Sequence, residues 1–251
     1  MTCALVTGAT AGIGHAFATE LAARGHDLVV VARDTARLEA LAKELSDRHD
    51  VDVDVLTADL CTEEGLAAAT CAVTSTSRPI DLLVNNAGSS FPGWFGTTDI
   101  GDEDAQLDLL VRAPMHLMDG ALKVMSGRHG GAVINVASVA AFTPRGTYSA
   151  HKAWIVNLSQ WANLHYADVD VRVQALCPGF VRTEFHQRMG ADISNVPRWM
   201  WLKPQQVVKA SLRDLERGRA VSVPSLRYKM LATLSRSLPA GLVAKVAKRG
   251  R

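Results

Sequence analysis

The sequence predicts one doubly wound α/β domain on a parallel sheet of about seven strands, with helices on both faces. Three observations carry that reading. Apolar runs of strand length alternate with helical patterns, the turns between them are short, and the residues suited to chemistry fall at strand ends or on the helix just after. At 251 residues and 48% hydrophobic, the chain can bury one large core.

Thr2 to Thr7 (T-C-A-L-V-T) reads as the first buried strand and ends in Gly8-Ala-Thr-Ala-Gly12-Ile-Gly14. A helical pattern with Phe17, Leu21 and Ala22 follows and stops at Gly25. Glycines at a strand-to-helix junction let the backbone approach a pyrophosphate, whose charge suits the free N–H groups and positive end of the helix. The spacing is G-x-x-x-G-x-G rather than the commoner G-x-G-x-x-G. Asp27 to Ala32 (D-L-V-V-V-A) is the second strand, and Arg33 follows it, nineteen residues past Gly14. An acid there would bind a ribose 2′-hydroxyl, whereas an arginine suits a 2′-phosphate, with Arg37 one helical turn further on. The same two arginines also read as the exposed start of a helix from Thr35 to Asp47.

Val51 to Ala58 forms a third strand with one solvated face, placing Asp59 and Leu60 at its carboxyl end. A helix from Thr62 to Thr76 and a strand from Ile80 to Val84 lead to Asn85-Asn86-Ala87-Gly88, whose amides can tie strands together and line a ligand's path. The helical pattern from Glu103 to Met125 contains Pro114, which removes the bond to the carbonyl of Leu110 and predicts a bend. Ala132 to Ala137 is the next strand, and it delivers Ser138. A sixth strand, Val171 to Cys177, precedes Pro178-Gly179-Phe-Val-Arg-Thr183.

Ten positions after Ser138 lies Tyr148, in T-Y-S-A-H-K, at the start of a helix running to about Tyr166. Residues four apart share a helix face, so Tyr148 and Lys152 present phenol and ammonium together. A free tyrosine, with a pKa of about 10, is too weak an acid for proton transfer at neutral pH. An adjacent ammonium favours the phenolate and lowers that value. Ser138 can hold a substrate oxygen against the phenol, making a site that protonates or deprotonates an alcohol oxygen. Y-x-x-x-K also occurs on plain solvated helix faces, and the other motifs are what separate the two readings.

No apolar run approaches the roughly 18 residues of a membrane span, and strand-like sequence from Thr2 leaves no room for a signal peptide, so a cytoplasmic protein is expected. Cys3, Cys61, Cys71 and Cys177 lack metal-ligand spacing and read as reduced, small buried residues; no metal is expected. Residues 226–251 carry seven basic side chains and no acid, while the first 225 carry 20 basic against 25 acidic. Residues 1–225 thus read as a single nucleotide-binding and catalytic domain and 226–251 as its basic amphipathic extension. Such an extension can lie on an anionic membrane surface, fold over the pocket, or pack on the body. Nucleic-acid binding has no support in a net-acidic body without a recognition motif.

Thr7 to Gly14 (T-G-A-T-A-G-I-G), Asn85 to Gly88 (N-N-A-G), Ser138, Tyr148 with Lys152, and Pro178 to Thr183 (P-G-F-V-R-T) occur in one order. With these motifs the chain resembles the short-chain dehydrogenase/reductases, in their NADP-preferring branch, over about Thr2 to Val223. The resemblance implies a Rossmann fold and an oxidoreductase that uses NADP(H) in preference to NAD(H). It implies that Gly8, Thr10, Gly12, Ile13 and Gly14 lie against the cofactor phosphates and Arg33 against the 2′-phosphate. Asp59 and Leu60 would flank the adenine, with Asn86, Ala87 and Gly88 on the adenosine-ribose side. Tyr148 would be the general acid/base, Lys152 would bind the nicotinamide ribose and lower the tyrosine pKa, and Ser138 would orient the carbonyl. Val181 and Thr183 would hold the carboxamide.

Two departures stand out. The serine-to-tyrosine gap is shorter than the family's usual one, and Leu110 stands where the family has a catalytic asparagine. In the family that asparagine accompanies a helix distortion and a water bound at its backbone carbonyl; the expectation is that Pro114 preserves both. The other reading of Leu110 is a non-catalytic cofactor-binding sensor or scaffold.

The substrate loop is placed at residues 184–203. Phe185, Met189, Trp199, Met200 and Trp201 there, with Phe91, Trp94, Phe95 and Phe142 across the cleft, suit a bulky hydrophobic ketone or alcohol. The same aromatics also read as core or subunit contacts. His151 is expected to be structural, and His186 is a candidate ligand contact. A homodimer or homotetramer through the two long helices is implied by the resemblance.

Overall fold

The computed structural model describes residues 2–185, 189 and 196–237. His186 and the second half of the basic extension, with Pro239 and Gly241, lie outside the described residues. Seven strands pair in parallel in the order β3-β2-β1-β4-β5-β6-β7. They are β1 (Cys3–Thr7), β2 (Asp27–Ala32), β3 (Val53–Thr57), β4 (Leu82–Asn85), β5 (Gly131–Val136), β6 (Val171–Leu176) and β7 (Val221–Ser222). The order runs outward from β1 to β3 and then restarts on the other side with β4. That reversal opens a crevice at the carboxyl ends of β1 and β4, where ligands of such sheets bind.

Both sheet faces are covered, which is why the central strands are nearly continuous apolar runs. Ala4 and Val6 of β1 face one core layer, with Phe17 and Leu21 of α1 (Gly12–Ala23), Leu38 and Leu45 of α2 (Thr35–His49) and Ile155 of α6 (Thr147–His165). Cys3 and Leu5 face the other layer, with Leu66 of α3 (Glu63–Val73) and Leu117 of α5 (Ala113–Gly127). The period of two along the strand makes this division. α7 (Pro204–Glu216) packs on α1, and α8 (Leu226–Ser237) closes the described chain.

The helix starts are chemically distinct. Asp34 caps α2 by accepting from Arg37 N, Thr62 caps α3 by accepting from Gly65 N, and Asp99 caps α4 (Ile100–Leu107) by accepting from Gly101 N. At the start of α1, Ala11 offers no side-chain cap and the first turn holds no acid. Its leading N–H groups therefore face the crevice without a side-chain acceptor.

The expected single helix from Glu103 to Met125 is in fact three pieces. Between α4 and α5, Asp108–Arg112 forms a π turn, in which Ala113 N–H reaches back five residues to Asp108 O. Pro114 has no N–H to offer and sits in the first turn of α5, where none is needed. The expected bend is thus a widened turn, a common form at functional sites. Of the cysteines, Cys3 and Cys177 are buried as expected, whereas Cys61 is half-buried and Cys71 exposed, because α3 turns Cys71 to solvent. Among the described residues no cluster of His, Cys, Asp and Glu could hold a metal, and no helix is long and apolar enough to cross a membrane.

Candidate active site

One large cleft of about 1280 Å³ opens over the carboxyl ends of the strands. Of the expected site residues, Gly8, Thr10, Gly12, Ile13, Arg33, Asp59, Leu60, Asn86, Ala87, Gly88, Ser138, Tyr148, Lys152, Val181 and Thr183 all line it. Gly14 does not. It stands behind the turn, where a Cβ would come within 2.2 Å of Gly8 O and 2.4 Å of Asn86 Nδ2. Its role is to let α1 close against the glycine turn, not to touch a ligand.

The residues at the cofactor end fit a dinucleotide. Gly8 and Gly12 have φ of +66° and +58°, and a Cβ on Gly12 would lie 2.9 Å from Thr183 Cγ2. These glycines and the uncapped start of α1 leave a backbone cradle of N–H groups suited to phosphate oxygens. Arg33 lies at the rim with 76% of its side chain exposed, paired with Asp59 at 3.7 Å. Arg37 is shared between Asp34 at 3.6 Å and Glu184 at 3.4 Å. Asn86 also serves the sheet, since its Nδ2 donates to Thr7 O at 2.8 Å and to Gly8 O at 3.2 Å, tying the end of β4 to β1.

At the other end, β5 delivers Ser138, whose Oγ accepts from Ala140 N at 3.1 Å and stands near enough to the Tyr148 phenol to lower its pKa. The short gap between serine and tyrosine is spanned by a 3-10 turn, Val139–Phe142, so the tighter loop still brings the two hydroxyls together. Lys152 is 6% exposed; its Nζ donates to Val136 O at 2.7 Å and lies 5.8 Å from the Tyr148 ring centroid. Phe185 stands over the tyrosine at 6.3 Å between ring centroids.

The electrostatics correct one expectation. Tyr148 is pushed up to about 12, chiefly by burial and against the Ser138 hydrogen bond, which lowers it. Lys152 is pushed down to about 8, chiefly by burial of its charge. Burial of the phenol sets the direction of the tyrosine's shift, and the Lys152 ammonium is not among its causes. Tyr148 is therefore a protonated donor at neutral pH, and Lys152 remains a cation there.

Sequence reasoning placed more aromatics at the site than the structure does. Phe91, Phe185 and Met189 line the cleft, joined by Phe180. Trp94, Phe95 and Trp199 are exposed, and Phe142 and Met200 pack on the core. Trp201 sits outside the cleft against Phe180, at 5.6 Å between centroids. Leu110 is 2% exposed and packs against Gly88. His151 is half-buried with Nδ1 unpaired among the described residues, and burial lowers its pKa. Tyr228 was missed altogether. Its ring covers Gly179, where a Cβ would lie 2.0 Å from Cζ, and its hydroxyl donates to Met200 O at 2.9 Å and accepts from Phe180 N at 3.1 Å. No local pattern around Leu226 announces that contact.

With this geometry in view, a family model for short chain dehydrogenases matches residues 2–194. The chain belongs to the short-chain dehydrogenase/reductase family. Among solved members, a short-chain dehydrogenase from Sphingobium yanoikuyae in complex with NADPH is 34% identical, with a TM-score of 0.86 and 94% of each chain covered. The bulky-bulky ketone specific alcohol dehydrogenase from Comamonas testosteroni is 31% identical, with a TM-score of 0.81 over 94% of this chain and 93% of that one. Another short-chain relative, the human inactive hydroxysteroid dehydrogenase-like protein 1, is 30% identical over 82% of this chain and 63% of its own. The protein is thus an oxidoreductase of this family by sequence and by fold.

Proposed function

We propose that the protein is an NADP(H)-dependent ketone/aldehyde reductase or alcohol dehydrogenase for hydrophobic carbonyls and secondary alcohols. The observation that carries this is the convergence of Ser138, Tyr148 and Lys152 at one end of a cleft whose other end is a phosphate cradle. When bound, NADPH supplies a hydride to the carbonyl carbon. The chain does the rest: Ser138 and Tyr148 hold the carbonyl oxygen, and Tyr148 donates its phenolic proton as that oxygen gains charge. Lys152 keeps a positive charge beside the phenol, favouring the anion left behind. Phe91, Phe180, Phe185 and Met189 give the substrate end an apolar wall, which supports a bulky ligand. The NADPH-bound and bulky-ketone relatives support the same reading.

The test is NADPH oxidation against hydrophobic ketones, 3-oxoacyl thioesters and aldehydes, run in parallel with NADH. NADPH-dependent turnover is expected. Tight NADPH binding without turnover across a broad panel would favour the second reading, a non-catalytic sensor or scaffold, for which Leu110 is the specific observation. Arg33→Ala is expected to raise KM for NADPH about 10- to 100-fold, the loss of one charge-assisted phosphate contact. KM for NADH should stay nearly constant, and an equal effect on both cofactors would sink the 2′-phosphate assignment.

We also place the protein in the cytoplasm as a homodimer or homotetramer with a peripheral membrane contact. Leu107, Met115, Trp161 and Leu164 leave apolar surface on α4, α5 and α6, which supports self-association. On α8, Leu226, Met230 and Leu234 are exposed four residues apart, on one helix face, in an acid-free basic segment. Vesicle co-sedimentation is expected with anionic lipids and not zwitterionic ones, weakened by salt and by Met230→Ser with Leu234→Ser. Equal binding to both vesicle types would refute the contact.

A further inference from the structure

An ion pair joins two distant parts of the chain at the adenosine end of the cleft. Arg37, in the first turn of α2, places Nη1 3.4 Å from Oε2 of Glu184, in the segment after β6, and both residues line the cleft. The two are 147 positions apart in sequence. Arg33, Asp34 and Asp59 line the same end. Among the described residues, two guanidinium groups there face three carboxylates.

Two of those carboxylates are fixed to their own turns. Asp34 Oδ1 accepts from Arg37 N at 3.1 Å as the cap of α2, and Asp59 Oδ1 accepts from Cys61 N at 3.0 Å. Glu184 differs, because its backbone is placed by the residues on either side of it. Thr183 packs on the glycine turn, where a Cβ on Gly12 would meet its Cγ2 at 2.9 Å. Phe185 N donates to Thr183 Oγ1 at 3.3 Å, and the Phe185 ring lies 6.3 Å from that of Tyr148. The carboxylate is thus presented to Arg37 by a segment anchored at the substrate end. The contact at 3.4 Å is long, against about 2.7–2.9 Å for a charge-assisted bond, and both side chains are about half exposed, so the pair is weak. A phosphate monoester, with a charge of about −1.5 to −2 and three acceptor oxygens, is the stronger partner for a guanidinium.

We propose that Glu184 is a specificity-determining residue that competes with the cofactor's 2′-phosphate for Arg37, and so narrows the preference for NADPH over NADH. The proposal rests on the NADP(H) reading above. Arg33 and Arg37 supply the attraction for the phosphate, and Glu184 supplies what opposes it. Cofactor choice is then set partly by a residue of the substrate loop. Glu184 acts through Arg37 and needs no contact with the cofactor itself.

Calorimetric titration with adenosine 2′,5′-bisphosphate and with adenosine 5′-monophosphate tests this without turnover. Glu184→Gln should tighten the bisphosphate about 2- to 5-fold, the range an exposed ion pair allows, and leave the monophosphate unchanged. In an Arg37→Ala background the same substitution should change neither ligand. No tightening in Glu184→Gln overturns the proposal, as does equal tightening of both ligands or an undiminished effect without Arg37. The wild type reports separately on the cofactor reading: equal affinity for the two ligands would contradict a preference for NADP(H). The proposal would then be upheld if Glu184→Gln created that preference and refuted if it did not.

Discussion

Tyr148→Phe is expected to lower kcat/KM for ketone reduction by about 10²- to 10⁴-fold, the usual range for removal of a general acid. NADPH binding should survive, since the ring and its contact with Phe185 remain. In the wild type Tyr148, held up to about 12, is protonated across the neutral range, so it does not limit reduction there. Of Tyr148 and Lys152, the one to lose its proton first as pH rises is Lys152, near 8. Reduction is therefore expected to be flat below about pH 7 and to fall as pH passes through about 8. Stopped-flow NADPH oxidation with both proteins over that range checks both statements. A Tyr148→Phe variant with wild-type turnover would transfer the proton to another group and undo the mechanism.

Lys152→Met is the second large effect, and it separates activity from stability. Turnover should drop by at least about 10²-fold as the charge beside the phenol disappears. The stability signature depends on pH. Burial lowers the lysine from its ordinary 10.5 to about 8, so between those values the unfolded chain binds a proton that the folded chain does not. Wild-type stability should therefore gain on the variant as pH rises from about 8 to about 10.5, by roughly 3 kcal/mol in total. Tyr148 contributes oppositely above pH 10, but it does so in both proteins and cancels from the difference. Urea unfolding of the pair at matched pH values gives the result, and a flat difference would mean that Lys152 is not desolvated.

Much of this site was legible because its chemistry lies at strand ends, which apolar runs mark clearly. The glycine turn, Arg33, Ser138 and the Tyr148–Lys152 pair could all be placed by counting from those ends, and fifteen of the expected residues do line the cleft. What could not be read depended on contacts between distant segments. Gly14 looks like a ligand contact in sequence, yet its missing side chain serves the approach of α1 to Gly8. Trp94 and Trp199 suit a pocket by type, but loop paths, which periodicity does not encode, turn them to solvent. Pro114 predicted a disturbance in the helix without specifying that the chain would widen into a π turn. The tyrosine pKa went the other way for a similar reason: the partner was visible in the sequence, and the burial was not.

The closure of Tyr228 over Gly179 also limits how this chain can be recombined. The aromatic ring occupies the space that any side chain at 179 would need, and its hydroxyl holds both Phe180 and Met200. A C-terminal segment borrowed from a relative would leave an opening above the P-G-F-V-R-T turn unless it brought its own aromatic. A turn borrowed with a larger residue at 179 would expel the one already present. The two stretches therefore behave as a single inheritable module, and chimeras that exchange them together should fold where those that exchange either alone do not.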